Sequence, residues 1–357
     1  MSEQSGASRS ASVSISLTNA CTNACVFCAH DKVETTPSME ALYASGARAI
    51  TLSGGEPTLD AAALEQALIE ARAAGFRDVR LQTNGHRLAA LAPRLHALGL
   101  TSVHLSVHGP NAAAHDYHTG KDGSLDVLWA GAGAAMRAGL RVVATTVLTR
   151  SSYRQLEEMP ALLRARGIAA WHLAVPIARG RLQDNFDRVY PRLGMVLPFA
   201  LRAMQLAQRS QLPTYLSGAP LCLLGPLASR AIRTLDPNES RAFHARCEGC
   251  AARPQCPGVD PLYLARFDGD ELRPRVDVPK NAGDEALASL FTGVGSLAPF
   301  RAQTTHEPVQ RSRISLPMYG RAQRGQQEAS TREAKTGEGL RAILPALFHD
   351  KPGEEDR

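Results

Sequence analysis

Short β-like runs alternate with longer Ala- and Leu-rich helical stretches through the first half of the chain, and this alternation constrains the fold more than any other feature. Strand-like runs occupy residues 13–18, 47–52, 78–82, 102–107, 141–148 and 170–175. Between them, residues 61–74, 88–98, 124–138 and 153–166 carry the helical pattern, and these stretches end on Gly75, Gly99, Gly139 and Gly167. A glycine closes a helix in left-handed backbone without a Cβ penalty. Such regularity predicts βα units and a parallel sheet, an α/β fold. Six units suit a partial (βα)6 barrel, with a doubly wound sheet as the alternative.

The chain divides by texture into a polar leader over residues 1–12, the βα core over 13–210, a Pro-, Gly- and Cys-rich domain over 211–280 and a tail over 281–357. The core ends on a further helix near residues 191–210. The tail is Gly-, Gln- and Arg-rich and is expected to be low-complexity and largely disordered. Two uncharged stretches, residues 95–115 and 210–229, approach the length of a membrane span. The first is broken by four His and Pro110, the second by Pro213, Pro220 and Pro226. The leader has no apolar segment of the kind that directs secretion. A cytoplasmic protein with no membrane partner is therefore expected. The formal net charge of +6 is spread along the chain and does not mark a nucleic-acid binder.

Seven cysteines without an export signal are expected to be thiolate ligands rather than disulfides. Three of them, Cys21, Cys25 and Cys28, stand in the spacing C-x3-C-x2-C just after the first strand. Three thiolates can hold three irons of a [4Fe–4S] cube, which normally takes four. The fourth iron is then open to an exchangeable ligand. Tetrahedral zinc, with His30 as its fourth ligand, is the alternative at this position.

These residues resemble the radical S-adenosylmethionine (radical SAM) superfamily, in which a similar loop carries an aromatic residue, here Phe27, before its third cysteine. The resemblance extends to Ser53-Gly54-Gly55-Glu56-Pro57-Thr58 after the second strand and to Thr83-Asn84-Gly85 after the third, and covers about residues 13–180. It implies a [4Fe–4S] cluster with one open iron site, S-adenosylmethionine (SAM) as a cofactor, and a binding role for Gly54, Gly55, Glu56 and Pro57 toward the SAM amino group. Phe27 and Asn84 belong to the same implied site. The resemblance also implies a ribose contact for Ser106, ribose and carboxylate contacts for Thr146 and Arg150, and an adenine contact for the backbone of Val175. Strand alternation places His104, Ser106 and His108 on one face, and His108 is the histidine expected to meet SAM or substrate. Gly54 and Gly55 are expected to let the backbone approach the ligand.

Cys222, Cys247, Cys250 and Cys256 supply four further thiolates, enough for one complete cluster. They resemble the auxiliary-cluster domains of the SPASM and Twitch type, and a single second [4Fe–4S] cluster fits their number. Structural zinc is the rival. The resemblance implies reductive cleavage of SAM to a 5′-deoxyadenosyl radical that takes a hydrogen atom from a substrate. No catalytic side chain is assigned. The substrate is a peptide undergoing oxidative modification or, alternatively, a small molecule such as a sugar, nucleoside or cofactor precursor. An electron donor such as flavodoxin or ferredoxin is implied, and, with a leader too short for a recognition domain, a separate partner that brings any peptide. A non-enzymatic iron–sulfur or zinc protein is the reading of another class.

Overall fold

The computed structural model describes residues 11–30, 37–233, 241–281 and 285–291. Eight strands form one sheet: β1 (Ala11–Thr18), β2 (Ala47–Gly54), β3 (Asp78–Thr83), β4 (Ser102–Ser106), β5 (Arg141–Val147), β6 (Trp171–Ala174), β7 (Thr214–Ser217) and β8 (Ala231–Ile232). Helices connect them: α1 (Met39–Ala44), α2 (Ala61–Ala74), α3 (Leu88–Ala97), α4 (Ala112–Thr119), α5 (Ser124–Arg137), α6 (Met159–Ala165), α7 (Gly180–Asp184), α8 (Phe186–Val189) and α9 (Leu193–Arg209). Beyond the sheet lie α10 (Pro261–Phe267) and α11 (Glu285–Ser289). No helix among the described residues is long and apolar enough to cross a membrane.

All strands are parallel and follow one another in chain order from β1 to β8. A doubly wound sheet would reverse direction at a switch point; this one winds a single way, as a half-barrel. The six expected strands are all present. The sheet runs on past residue 210, because β7 and β8 join it from within the segment read as the Cys-rich domain.

The two faces of the sheet differ in chemistry. Ile50, Leu52, Val79, Leu81, Val103, Leu105, Val142, Ala144 and Leu173 are buried in the large core against the helices. The helices answer with apolar stripes at helical spacing, such as Leu64, Ala67, Leu68 and Ala71 on α2. The alternate residues, pointing into the half-barrel, are mostly polar: Thr51, Ser53, Gln82, His104, Ser106, Thr145, His172 and Ser217. Closed barrels fill this space with branched apolar side chains.

The amino end of the barrel is closed by the residues after α11. Leu290 and Phe291 are buried with Val143, Ala170, Tyr215 and Ile232. The Phe291 ring stacks on His172 at 4.9 Å and lies 5.8 Å from His104. Arg80 donates to the Ser289 carbonyl at 2.6 Å. The tail read as disordered from residue 281 thus begins with an ordered anchor, and its residues from 292 onward lie outside the described ones. Phe291→Ala is expected to destabilise the fold by about 3 kcal/mol, the usual cost of emptying a buried aromatic site. Chemical denaturation of the two proteins checks this.

Candidate cluster and cofactor site

The three motifs meet at the carboxyl ends of β1, β2 and β3, where open α/β folds bind ligands. The cysteine loop is held from several sides. Ala24 N donates to Thr119 O at 2.7 Å, at the end of α4. Leu182 N donates to Cys28 O at 3.2 Å, and Arg181 donates to Cys25 O at 3.0 Å, both from α7. Asn23 N donates to the Cys21 sulfur at 3.4 Å. Burial first, then the charges of Cys28 and Cys21, pushes the Cys25 thiol up to about 12. Burial likewise raises Cys21. Three thiols so placed need a cationic partner to stand together as thiolates, which the irons of a cluster provide.

Glu56 ties two of the motifs together. Its carboxyl group is fully buried and accepts four hydrogen bonds, from Thr58 N at 3.0 Å, Thr58 Oγ1 at 2.6 Å, Thr83 Oγ1 at 2.6 Å and Asn84 N at 2.7 Å. It joins the turn after β2 to the turn after β3. Asn84 in turn donates to Thr22 Oγ1 at 3.0 Å, which ties the second turn to the cysteine loop.

Gly54 and Gly55 stand against the cysteine loop. A Cβ on Gly55 would sit 2.1 Å from Ala20 O, and one on Gly54 would sit 2.5 Å from Thr18 O. The missing Cβ atoms allow the cysteine loop to lie against this turn. Two bonds fasten the contact: Gly55 N to Thr18 O at 2.7 Å and Glu56 N to Ala20 O at 2.8 Å. Pro57 is buried at the start of the following turn.

The remaining candidates separate into two groups. Ser106 is half-buried at the carboxyl end of β4 and faces the barrel interior. Thr146 is turned the other way. Its hydroxyl donates to Val107 O at 2.6 Å and accepts from the Trp171 indole at 2.9 Å, in the layer between sheet and helices. Strand parity places Thr145 on the interior face. Arg150 is exposed and donates to Asp187 O. The Val175 N–H is taken by Ser217 O at 3.0 Å, which leaves the carbonyl as its remaining backbone group.

His108 lies beyond the end of β4, buried with its ring edge-on to Phe27 at 4.5 Å and stacked on His115 at 5.8 Å. Its backbone N–H donates to His115 Nδ1 at 3.1 Å. His118 is held by Ala114 O at 2.6 Å, Thr149 Oγ1 at 3.0 Å and Ser151 Oγ at 2.8 Å. Desolvation lowers all three histidines, His115 to about 4. They are neutral rings packed behind Phe27. Thr58 and Thr83 stand inside the quoted motifs but were given no role of their own, and nothing local marks Arg181.

Cys222, Cys247, Cys250 and Cys256 line one cavity with Phe243, Val259 and Leu272. Arg275 N donates to the Cys250 sulfur at 3.2 Å and Gly258 N to the Cys256 sulfur at 3.5 Å. Backbone N–H groups aimed at sulfur suit a cluster, whose potential such bonds adjust. Among the described residues no three His, Cys, Asp or Glu side chains stand as a ready single-ion site. The four thiols surround a cavity, and residues 234–240 between Cys222 and Cys247 lie outside the described ones.

Residues 15–163 match the family described as the Radical SAM superfamily. A probable GTP 3′,8-cyclase of Metallosphaera sedula is 30% identical over 189 residues, 49% of this chain and 59% of that protein. An AdoMet-dependent heme synthase of Nitratidesulfovibrio vulgaris is 28% identical over 141 residues, 39% of this chain and 38% of that protein. Among solved structures, Streptococcus suis SuiB bound to the precursor peptide SuiA has a TM-score of 0.48 at 16% identity, covering 58% of this chain and 49% of that one. The chain spans about half the length of the curated relatives it matches.

Proposed function

The chain belongs to the radical SAM superfamily through residues 15–163, and from that premise we propose that it reductively cleaves SAM and directs the resulting radical to a small polar molecule. One observation carries the reading. The cysteine loop, the Gly54–Pro57 turn and the Thr83–Gly85 turn are locked to one another through Glu56 and Asn84 at one end of the barrel.

A cluster held by Cys21, Cys25 and Cys28 would supply one-electron reduction of bound SAM, and through it radical hydrogen abstraction from substrate. Cys21, Cys25 and Cys28 would hold three irons and leave the fourth open. The chain's own task is position and exclusion. The bonds from Thr119, Arg181 and Leu182 fix the loop, and Glu56 fixes the two turns beside it. The walls of the half-barrel would limit which C–H bonds can approach the site. An electron donor such as flavodoxin or ferredoxin would supply the reductant. The small-molecule reading draws on the polar interior of the half-barrel and on the relatives named as GTP 3′,8-cyclases. Dithionite reduction of the anaerobically reconstituted protein with SAM is expected to yield methionine and 5′-deoxyadenosine in equal amounts. SAM recovered intact would overturn the reading.

Cys222, Cys247, Cys250 and Cys256 would hold a second [4Fe–4S] cluster, able to take up an electron after hydrogen abstraction or to ligate substrate. Cys250→Ala is expected to lower iron by about four per chain and leave the first cluster in place. Unchanged iron with lost zinc would assign the site to zinc instead.

A further inference from the structure

The inward face of the half-barrel forms an open basin. Gln82, Ser106, Thr145 and Ser217 are half-buried, although they stand within a sheet whose other face is fully covered. Beside and below them lie Thr51, His104 and His172, all buried, above the floor made by Phe291. Polar atoms there lack partners among the described residues: Thr51 Oγ1, Gln82 Oε1 and both ring nitrogens of His104. Gln82 and His104 are directly opposite each other on β3 and β4. Buried polar atoms left unpaired are rare and call for a ligand or ordered water. Four of them on three adjacent strands make a site rather than an accident of packing.

The chemistry of the lining narrows the ligand. Thr145 and Ser217 are aimed by His172, whose nitrogens lie 3.4 Å and 2.8 Å from their hydroxyls. Burial lowers His104 and His172 to about 3, so both rings are neutral at ordinary pH. The charge nearest the floor, Arg80, is taken by Asp78, Ser12 and the Ser289 carbonyl. None of these described lining side chains carries a charge, so a carboxylate, phosphate or ammonium group buried among them would lose its water without a counter-charge in contact. Hydroxyl groups, each both donor and acceptor, match a lining of amide, hydroxyl and neutral imidazole.

We propose that the basin binds an uncharged, polyhydroxylated part of the substrate, a sugar-like ring, with Gln82 and His104 as its specificity-determining contacts. This rests on the reading of the chain as a radical enzyme acting on a small molecule. The test is saturation-transfer NMR on the full chain, with S-adenosylhomocysteine present to fill the SAM site. Probes are glucose, xylose, ribose and myo-inositol, against the charged counterparts glucuronate and glucosamine. At least one neutral probe is expected to bind, more strongly than either charged one. Gln82→Leu and the near-isosteric Gln82→Glu are expected to weaken it about fivefold, the worth of one neutral hydrogen bond. The idea is overturned if no neutral probe binds, if a charged counterpart binds as well, or if both Gln82 variants bind as wild type does; the orphan atoms then hold water. Deoxyadenosine formation is measured separately, so failure of the basin and failure of the radical reading give different results.

Discussion

Gly55→Ala is expected to empty the first cluster site while leaving the second loaded. The added Cβ would lie 2.1 Å from Ala20 O, 2.6 Å from Ala20 C and 3.0 Å from Asn19 C, all backbone atoms. No rotamer change relieves such a clash, so the chain itself must move. The turn cannot withdraw, because Glu56 is held by four hydrogen bonds on its far side. The cysteine loop must therefore yield, and Cys21 is the next residue after Ala20. Displacing a reacting group by about 1 Å costs on the order of 100-fold in rate. Iron is expected to fall by about four per chain, with SAM cleavage reduced by at least that rate factor. Iron and activity at wild-type levels would show that the loop does not rest on this turn as described.

Cys28→Ala is expected to abolish 5′-deoxyadenosine formation altogether. Two thiolates remain on the loop, and a cluster that normally needs three or four protein sulfurs is lost. The substituted residue is half-buried in a loop, so the fold should lose no more than about 1 kcal/mol. Loss of activity with an unchanged melting transition separates a cluster ligand from a packing residue. An anaerobically reconstituted Cys28→Ala protein that still made deoxyadenosine would sink the mechanism.

Much of this architecture is written locally in the sequence. Alternating β-like and helical runs specify the first six strands; the second and third motifs fall at strand ends because the loops after β2 and β3 are short, while the cysteine motif opens the long connection between β1 and α1. The two last strands escaped because they are four and two residues long, within a stretch rich in proline and glycine. Thr146 shows a different limit. A strand reverses the direction of its side chains at each residue, and position alone did not show that Thr146 meets the Trp171 indole while Thr145 faces the interior. The expectation for His108 rested on the same alternation, which ends with β4 at Ser106.

Glu56 and Phe291 were illegible for a shared reason. A carboxylate beside two glycines looks the same whether it meets a ligand or the hydroxyl of Thr83. A single Leu-Phe pair at the head of a polar tail gives no sign that it closes a barrel formed by residues far earlier in the chain. Both are non-local contacts, decided by where distant strands bring their ends.

Iron, sulfide and zinc counted per chain after anaerobic reconstitution, with deoxyadenosine as the readout after dithionite and SAM, test the central claim most directly. The account predicts about eight iron, about eight sulfide, no zinc and deoxyadenosine formed. About four iron with one zinc would remove the second cluster and leave the first. No iron retained and no SAM cleaved would contradict the account as a whole.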